Sequence, residues 1–221
     1  MNNDSPLKAI LVVLLTAIIC STLVSAAVVI LRPIQLNNQL LDRSRNIMAL
    51  TGLLPADEVP DDEEMLELFK SLDTRMVDID EGRFDEQLDP NTFDMRRAAN
   101  DPELGTAVPA EQDLASIGRR SRYAVVYMVW DEEGLDRIIL PVRGAGMWAM
   151  LYGYMAVEPD FNTIAGMSFS EQNETPGLGD QITHLHWLEQ WQGKQLYDEQ
   201  GLPRFHVSEA AVVAGSVSAP Y

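Results

Sequence analysis

The sequence predicts an α+β fold in which one N-terminal transmembrane helix precedes a soluble domain with a mainly antiparallel sheet. Three observations support this. Residues 9–31 contain no charged side chain, residues 123–142 form two β-rich apolar segments around a turn, and helical and strand-like segments follow one another without a regular alternation. With 221 residues, 46% of them hydrophobic, the chain has enough material for one globular core besides the helix.

The apolar N-terminal segment is long enough to cross a membrane. Its uncharged stretch over residues 9–31 exceeds the roughly 20 helical residues that span a hydrocarbon core of about 30 Å. We therefore predict a tail over residues 1–8, a transmembrane helix over 9–31 and a soluble domain over 32–221. A cleaved signal peptide is the alternative, because Lys8 precedes the segment, but the apolar core of a signal peptide usually has only about 7 to 15 residues.

The next segment is predicted to continue as a helix with one polar side, which Gly52 and Pro55 end. Residues 55–118 are acidic and are interrupted by prolines at 60, 90, 102 and 109, so they predict loops and short helices. The acidic run from Asp61 to Glu64 could hold a hard cation. A helix start is favoured, since the run follows a proline and acidic side chains suit a first helical turn.

The strongest strand signals lie in the second half of the chain. Residues 123–130 and 135–142 predict a hairpin with its turn at 131–134. Further strands are predicted at 152–157 and 164–169, followed by a helix over 184–192. Three methionines in this region, Met147, Met150 and Met155, are interpreted as core-filling side chains.

Charge and cysteine content exclude several classes of function. Residues 33–221 hold 14 Lys and Arg against 33 Asp and Glu, a net charge of −19, which disfavours nucleic acid and anionic lipid as partners. The single cysteine, Cys20, lies in the apolar segment, so the soluble part forms no disulfide. His184, His186 and His206 could bind zinc, but without cysteine or spaced carboxylates, surface histidines are the preferred interpretation.

Two glycine-containing segments are candidate ligand loops. Gly144 and Gly146 directly follow the predicted hairpin, where backbone NH groups could cradle a phosphate. A dinucleotide fingerprint needs a third glycine that the sequence lacks. A tight turn packed under Trp148 is therefore the favoured local interpretation.

The second segment, residues 171–179, has the sequence Glu-Gln-Asn-Glu-Thr-Pro-Gly-Leu-Gly. Proline fixes one backbone angle and the glycines free their own, so Glu174 and Thr175 stand beside a shaped loop. The loop could hold a polar planar ligand or could be an ordinary turn with Glu174 in solvent, and the local chemistry leaves both open.

Taken together, these segments resemble the FMN-binding domain of the NqrC family. Members of this family are C subunits of sodium-translocating NADH:quinone reductases. The resemblance rests on Gly144-x-Gly146-Met147-Trp148, on Glu158 to Thr163 and on Glu174 to Gly179, and with the N-terminal helix it spans nearly the whole chain. It implies an oxidoreductase subunit that binds FMN, relays electrons from NADH toward quinone, and has the other reductase subunits as partners. The residues it implies for FMN are Glu174, Thr175, Gly177, Leu178 and Gly179, supported by Gly144, Gly146 and Trp148.

One feature departs from this family. Its members usually attach the FMN phosphate to a threonine in a Ser-Gly-Ala-Thr motif near the C-terminus, and residues 1–221 contain no such motif; the last threonine is Thr183. Either the chain is a fragment with an incomplete C-terminus, which we favour, or it does not bind flavin covalently in the usual way.

Alternatives to this function and its orientation remain open. The homologous subunit of the Rnf electron-transport complex shares the Glu174 to Gly179 block, although the long acidic region favours the NqrC family. A non-redox, membrane-anchored interaction module would use Trp148, Trp187 and Trp191 as an exposed patch. The family resemblance implies a periplasmic domain in the bacterial inner membrane, whereas the few Lys and Arg around the helix slightly favour a cytoplasmic one.

Overall fold

The computed structural model describes residues 6–54, 60–206 and 217–218. The helices are α1 (Pro6–Thr51), α2 (Asp62–Ser71), α3 (Met95–Asn100), a 3₁₀ helix (Gly179–Thr183) and α4 (Leu185–Glu189). The strands are β1 (Asp73–Asp78), β2 (Arg83–Asp85), β3 (Gly105–Ala107), β4 (Arg119–Ser121), β5 (Tyr123–Trp130), β6 (Leu135–Ala145), β7 (Met150–Val157), β8 (Ile164–Glu171), β9 (Phe205–His206) and β10 (Val217–Ser218).

The α+β class with a mainly antiparallel sheet is confirmed. Six strands form one sheet in the order β2-β1-β5-β6-β7-β8, and each neighbouring pair is antiparallel. A short antiparallel pair, β3 with β4, and a parallel pair, β9 with β10, lie outside this sheet. The chain divides into two compact units, Met1–Asp42 and Arg43–Tyr221.

Helix α1 contains the predicted apolar segment and is long and apolar enough to cross a membrane. The residues from Leu7 to Leu31 are not buried by other parts of the chain, as expected for side chains that would lie in lipid. The helix ends at Thr51, and Gly52 takes a left-handed conformation with φ of 71°, which confirms Gly52 as its terminator. Pro55 lies outside the described residues.

The acidic region holds more strand than the sequence predicts. As expected, Asp61 caps α2, because its carboxylate accepts the NH groups of Glu63 and Glu64 at 3.0 and 2.9 Å. The interpretation of residues 55–118 as only loops and short helices is wrong, however, because β1 pairs with β5 inside the main sheet. Met76 at the centre of β1 is 1% exposed and belongs to the core.

Both faces of the sheet are covered. Because side chains alternate along a strand, Ala156 of β7 joins a core with Ile47 and Leu50 of α1, whereas Met155 and Val157 join a second core with Trp191. The predicted hairpin is confirmed as β5 and β6, and the later strands as β7 and β8. The predicted helix over 184–192 is shorter, with α4 ending at Glu189.

Two buried polar groups tie the elements of the domain together. Arg43 donates to the Tyr127 hydroxyl, and burial raises the pKa of Tyr127 to about 12. Asp78, which is 2% exposed, accepts two hydrogen bonds from Arg122 at 2.9 and 2.6 Å. These bonds hold the pKa of Asp78 below its ordinary value.

Candidate functional site

The first glycine segment forms the turn between β6 and β7. Gly146 NH donates to the Ala149 carbonyl at 2.8 Å, which closes the turn. Gly144 lies within β6 rather than in the turn and pairs with Leu151. Trp148 is 68% exposed. Met147 is 81% exposed, so the interpretation of Met147 as a core residue is wrong. Met155 is buried as expected.

The second segment begins at Glu171, the last residue of β8, and the loop that follows, residues 172–179, is shaped by its own hydrogen bonds. The Gln172 side chain accepts the NH of Glu174 at 2.6 Å, and the Thr175 carbonyl accepts the NH of Leu178 at 3.0 Å. Gly177 has φ of 77°, a left-handed conformation that favours glycine, and its NH donates to Asp180 at 2.7 Å. The loop is therefore fixed at its start, middle and end.

Two side-chain bonds join the segments. The Glu174 carboxylate accepts the NH of Met147 at 2.9 Å, and the Trp148 indole NH donates to the Thr175 hydroxyl oxygen at 3.0 Å. Since the Thr175 oxygen accepts the indole proton, its own proton can be donated to a ligand. Residues almost 30 positions apart thus form one structure, which we call the loop junction: residues 146–149 and 172–179.

The glycines permit this approach. A Cβ atom on Gly146 would lie 2.2 Å from the Glu174 carboxylate, and one on Gly179 would lie 2.8 Å from the Glu174 Cβ. Gly144 differs, because its added Cβ would meet Ala115 at an ordinary 3.5 Å. Among the predicted FMN residues, Gly144 is therefore the one that lies apart from the loop junction, beside the segment that contains Ala115.

A cavity of about 400 Å³ lies next to the loop junction. Its wall is mostly polar, with Met150 and Phe169 as the apolar side chains. The lining residues are Met150, Phe169, Ser170, Glu171, Gln172, Asn173 and Thr183.

One ion pair at this cavity consists of residues that the sequence did not predict for the site. Arg96 of α3 donates to both carboxylate oxygens of Glu171, at 2.9 and 2.6 Å. The Arg96 guanidinium also lies 3.5 Å from the centre of the Tyr152 ring. Hydrogen bonding to Glu171 raises the pKa of Arg96, so this cation stays charged. No local motif marks a pair that is 75 positions apart in sequence.

The zinc alternative gains no support from the residues that the structure describes. His184 precedes α4 and His186 lies within it, both exposed. In residues 6–54, 60–206 and 217–218, no three His, Cys, Asp or Glu side chains gather as a metal site would require. The side chain of His206 lies outside the description.

The exposed tryptophan patch is wrong as a set. Trp148 is exposed, but Trp191 is only 5% exposed. Trp187 packs against it with ring centres 5.3 Å apart, and also against Phe169 at 6.1 Å. Trp191 belongs to the second core and Trp187 packs against it, so they do not form a shared exposed surface with Trp148.

The part of the chain that contains the loop junction matches a known domain family. Residues 146–217 match the model of the FMN-binding domain, a range that begins at the first glycine turn and includes the loop junction. Fold and loop junction therefore place the chain among proteins that join such a domain to a long apolar N-terminal helix.

Relatives extend the match to nearly the whole chain. The NqrC protein of the Na(+)-translocating NADH-quinone reductase of Pseudomonas aeruginosa is 43% identical over 201 residues, which cover 90% of this chain and 76% of the relative. Its counterpart in Yersinia pestis is 38% identical over 208 residues, covering 93% of this chain and 77% of the relative. The chain belongs to the NqrC family of Na(+)-translocating NADH-quinone reductase subunits.

Solved structures agree. The crystal structure of Shewanella oneidensis NqrC has a TM-score of 0.70 and 34% identity, covering 81% of each chain. The crystal structure of the corresponding protein from Parabacteroides distasonis has a TM-score of 0.62 and 25% identity, covering 85% of this chain and 82% of the other. The resemblance drawn from the sequence is thus confirmed, and it favours the NqrC family over the Rnf alternative.

Proposed function

We propose that this chain is the FMN-binding subunit of a sodium-translocating NADH:quinone reductase and relays electrons from NADH toward quinone. The observation that carries the proposal is the loop junction, where Glu174 and Thr175 hold both glycine segments together beside the cavity. Membership of the NqrC family supplies the context of a membrane complex whose other subunits are the partners.

The residues present fit a flavin. The cavity of about 400 Å³ falls within the range of small-molecule sites. Met150 and Phe169 provide apolar contact for a planar ring. Thr175 can donate its hydroxyl proton, and Gln172 and Asn173 offer amide groups.

When bound, FMN would supply the electron-transfer chemistry that the ordinary side chains of the protein lack. The chain's own contribution is positioning and electrostatics. The Thr175 hydroxyl and nearby backbone NH groups favour added negative charge on a ligand, whereas the strongly acidic domain disfavours it. We assign no side chain the role of nucleophile or general base.

Coupling to sodium export is the further part of this proposal, and the names of the relatives support it. Deleting the gene should abolish sodium-stimulated quinone reduction by NADH in isolated membranes, together with sodium uptake into inverted vesicles. The unaltered gene should restore both activities, and a Glu174→Ala, Thr175→Ala gene should restore them only in part. Unchanged activity after deletion would contradict the proposed function.

We also propose that the domain lies in the periplasm, anchored in the inner membrane by residues within α1. Long domains are translocated largely regardless of the local charge, so the small excess of arginine after the apolar segment does not decide the orientation. A reporter active only in the periplasm, fused after Tyr221, should be active. A silent reporter with normal expression would reverse the orientation.

A further inference from the structure

We infer that Arg96 and Glu171 are a charge-balancing pair that sets the redox potential of a ligand in the cavity, an inference that rests on the proposed FMN site. Glu171 lines the cavity at the end of β8, where the chain leaves the sheet for the loop junction. Arg96 bonds to Glu171 from α3. Among the described residues, none of those that line the cavity belongs to α3. The pair therefore combines two charges at the wall of the site.

The geometry of the pair is specific. Two guanidinium nitrogens each donate to a different carboxylate oxygen, at 2.9 and 2.6 Å, and the guanidinium stacks on Tyr152 at 3.5 Å. Tyr152 is also the strand partner of Glu171 in the sheet. Arginine suits such a site because its planar fork fits a carboxylate and its face fits an aromatic ring.

The ion pair is expected to contribute little to the stability of the fold. The side chains of Arg96 and Glu171 are 48% and 57% exposed, and ion pairs of such exposure contribute little to folding. Their position has a different consequence. Without Arg96, the wall of the cavity would carry an unbalanced negative charge in a domain that is already strongly acidic, and this charge would oppose the uptake of electrons by a bound flavin.

The pair therefore predicts shifts of opposite sign. Arg96→Met leaves the Glu171 charge unbalanced and should lower the midpoint potential of bound FMN, whereas Glu171→Gln leaves the Arg96 charge and should raise it. Each shift should be about 15 to 30 mV for a two-electron couple, which is a roughly threefold to tenfold change in the affinity of reduced relative to oxidised FMN. The double variant should return close to the unaltered value.

The experiment measures the midpoint potential of bound FMN by redox titration and, on the chain of residues 1–221, which lacks the attachment motif, the dissociation constants of oxidised and reduced FMN. The ion pair of Lys70 with Glu67 on α2, at 2.8 Å with side chains 66% and 68% exposed, is the matched control. Lys70→Met and Glu67→Gln should leave both quantities unchanged.

Shifts of opposite sign that cancel in the double variant support the inference. Shifts of the same sign, as a purely structural role of the ion pair predicts, would overturn it, and so would shifts no larger than the control's. If the unaltered protein binds no FMN, the proposed function fails and this inference with it. Binding of FMN by the unaltered protein separates the two failures.

Discussion

Gly146→Ala should break one of the two hydrogen bonds that join the loops of the proposed flavin site. The added methyl group would lie 2.2 Å from the Glu174 carboxylate and 2.9 Å from the Ala149 carbonyl oxygen, both closer than atoms can approach. The Glu174 carboxylate must move away, which breaks its hydrogen bond with the Met147 NH, and the turn at Ala149 must shift. A hydrogen bond to a charged group contributes about 1.5 to 3 kcal/mol, and we take the lower end because this one is exposed.

That loss predicts about a tenfold weaker binding of FMN, since roughly 1.4 kcal/mol corresponds to a factor of ten in a dissociation constant. Fluorescence titration with FMN measures it, and hydrogen exchange of the Met147 amide reports the loop contact without any ligand. Gly144→Ala is the matched control, because its methyl group would meet Ala115 at only 3.5 Å. It should change the affinity less than about twofold.

A double-variant cycle sharpens this prediction. In a Glu174→Ala background the carboxylate is gone, so Gly146→Ala should cost less there than in the unaltered chain, although the contact with Ala149 persists. Equal effects of Gly144→Ala and Gly146→Ala, or full additivity of Gly146→Ala with Glu174→Ala, would refute the assignment of Gly146 to the loop junction.

Protonation and flavin attachment give three more testable expectations. Arg122 lowers the pKa of Asp78. The contribution of the Asp78 carboxylate to stability is therefore full above the unfolded pKa of about 4 and is lost as the pH falls through the lower folded pKa. The urea concentration at the unfolding midpoint should fall in that pH window, and should fall less for Asp78→Asn. Burial raises the pKa of Tyr127 to about 12, so its contribution to stability is full below the unfolded pKa of about 10 and is lost as the pH rises through 12. Burial raises the pKa of Tyr154 as well, so an absorbance titration should show late tyrosine ionisation that the Tyr127→Phe variant reduces without abolishing. The chain from residue 1 to 221 should fold without covalent flavin because it lacks the Ser-Gly-Ala-Thr motif; a fluorescent band on a denaturing gel under ultraviolet light would contradict this.

Local sequence predicted the elements whose signals are local. The uncharged run within α1, the hairpin of β5 and β6 and the cap at Asp61 each depend on residues close together in the chain. The strand β1 was missed because its six residues carry three charges and follow an acidic helix. Pairing with the apolar strand β5 supplies the stabilisation that its own composition does not reveal.

The site was predictable in its loops but not in its surroundings. The glycines and Pro176 mark a shaped backbone, and the contact of Glu174 with Gly146 explains in part why both segments need glycine. The pairing of Arg96 with Glu171 depends on how α3 packs against the end of β8, which no local pattern encodes. The exposure of Met147 likewise follows from its place at the tip of a hairpin, where an apolar side chain has no core to enter.

The potential of FMN bound to the native protein tests the central claim most directly. If Glu174 and Thr175 lie at the flavin, Glu174→Ala with Thr175→Ala removes two hydrogen bonds of about 1 kcal/mol each, and the midpoint potential should shift by up to about 40 mV. The control, His184→Ala with His186→Ala, alters two exposed side chains nearby and should leave the spectrum and potential unchanged. An unchanged potential in the first variant, or equal shifts in both, would contradict the account.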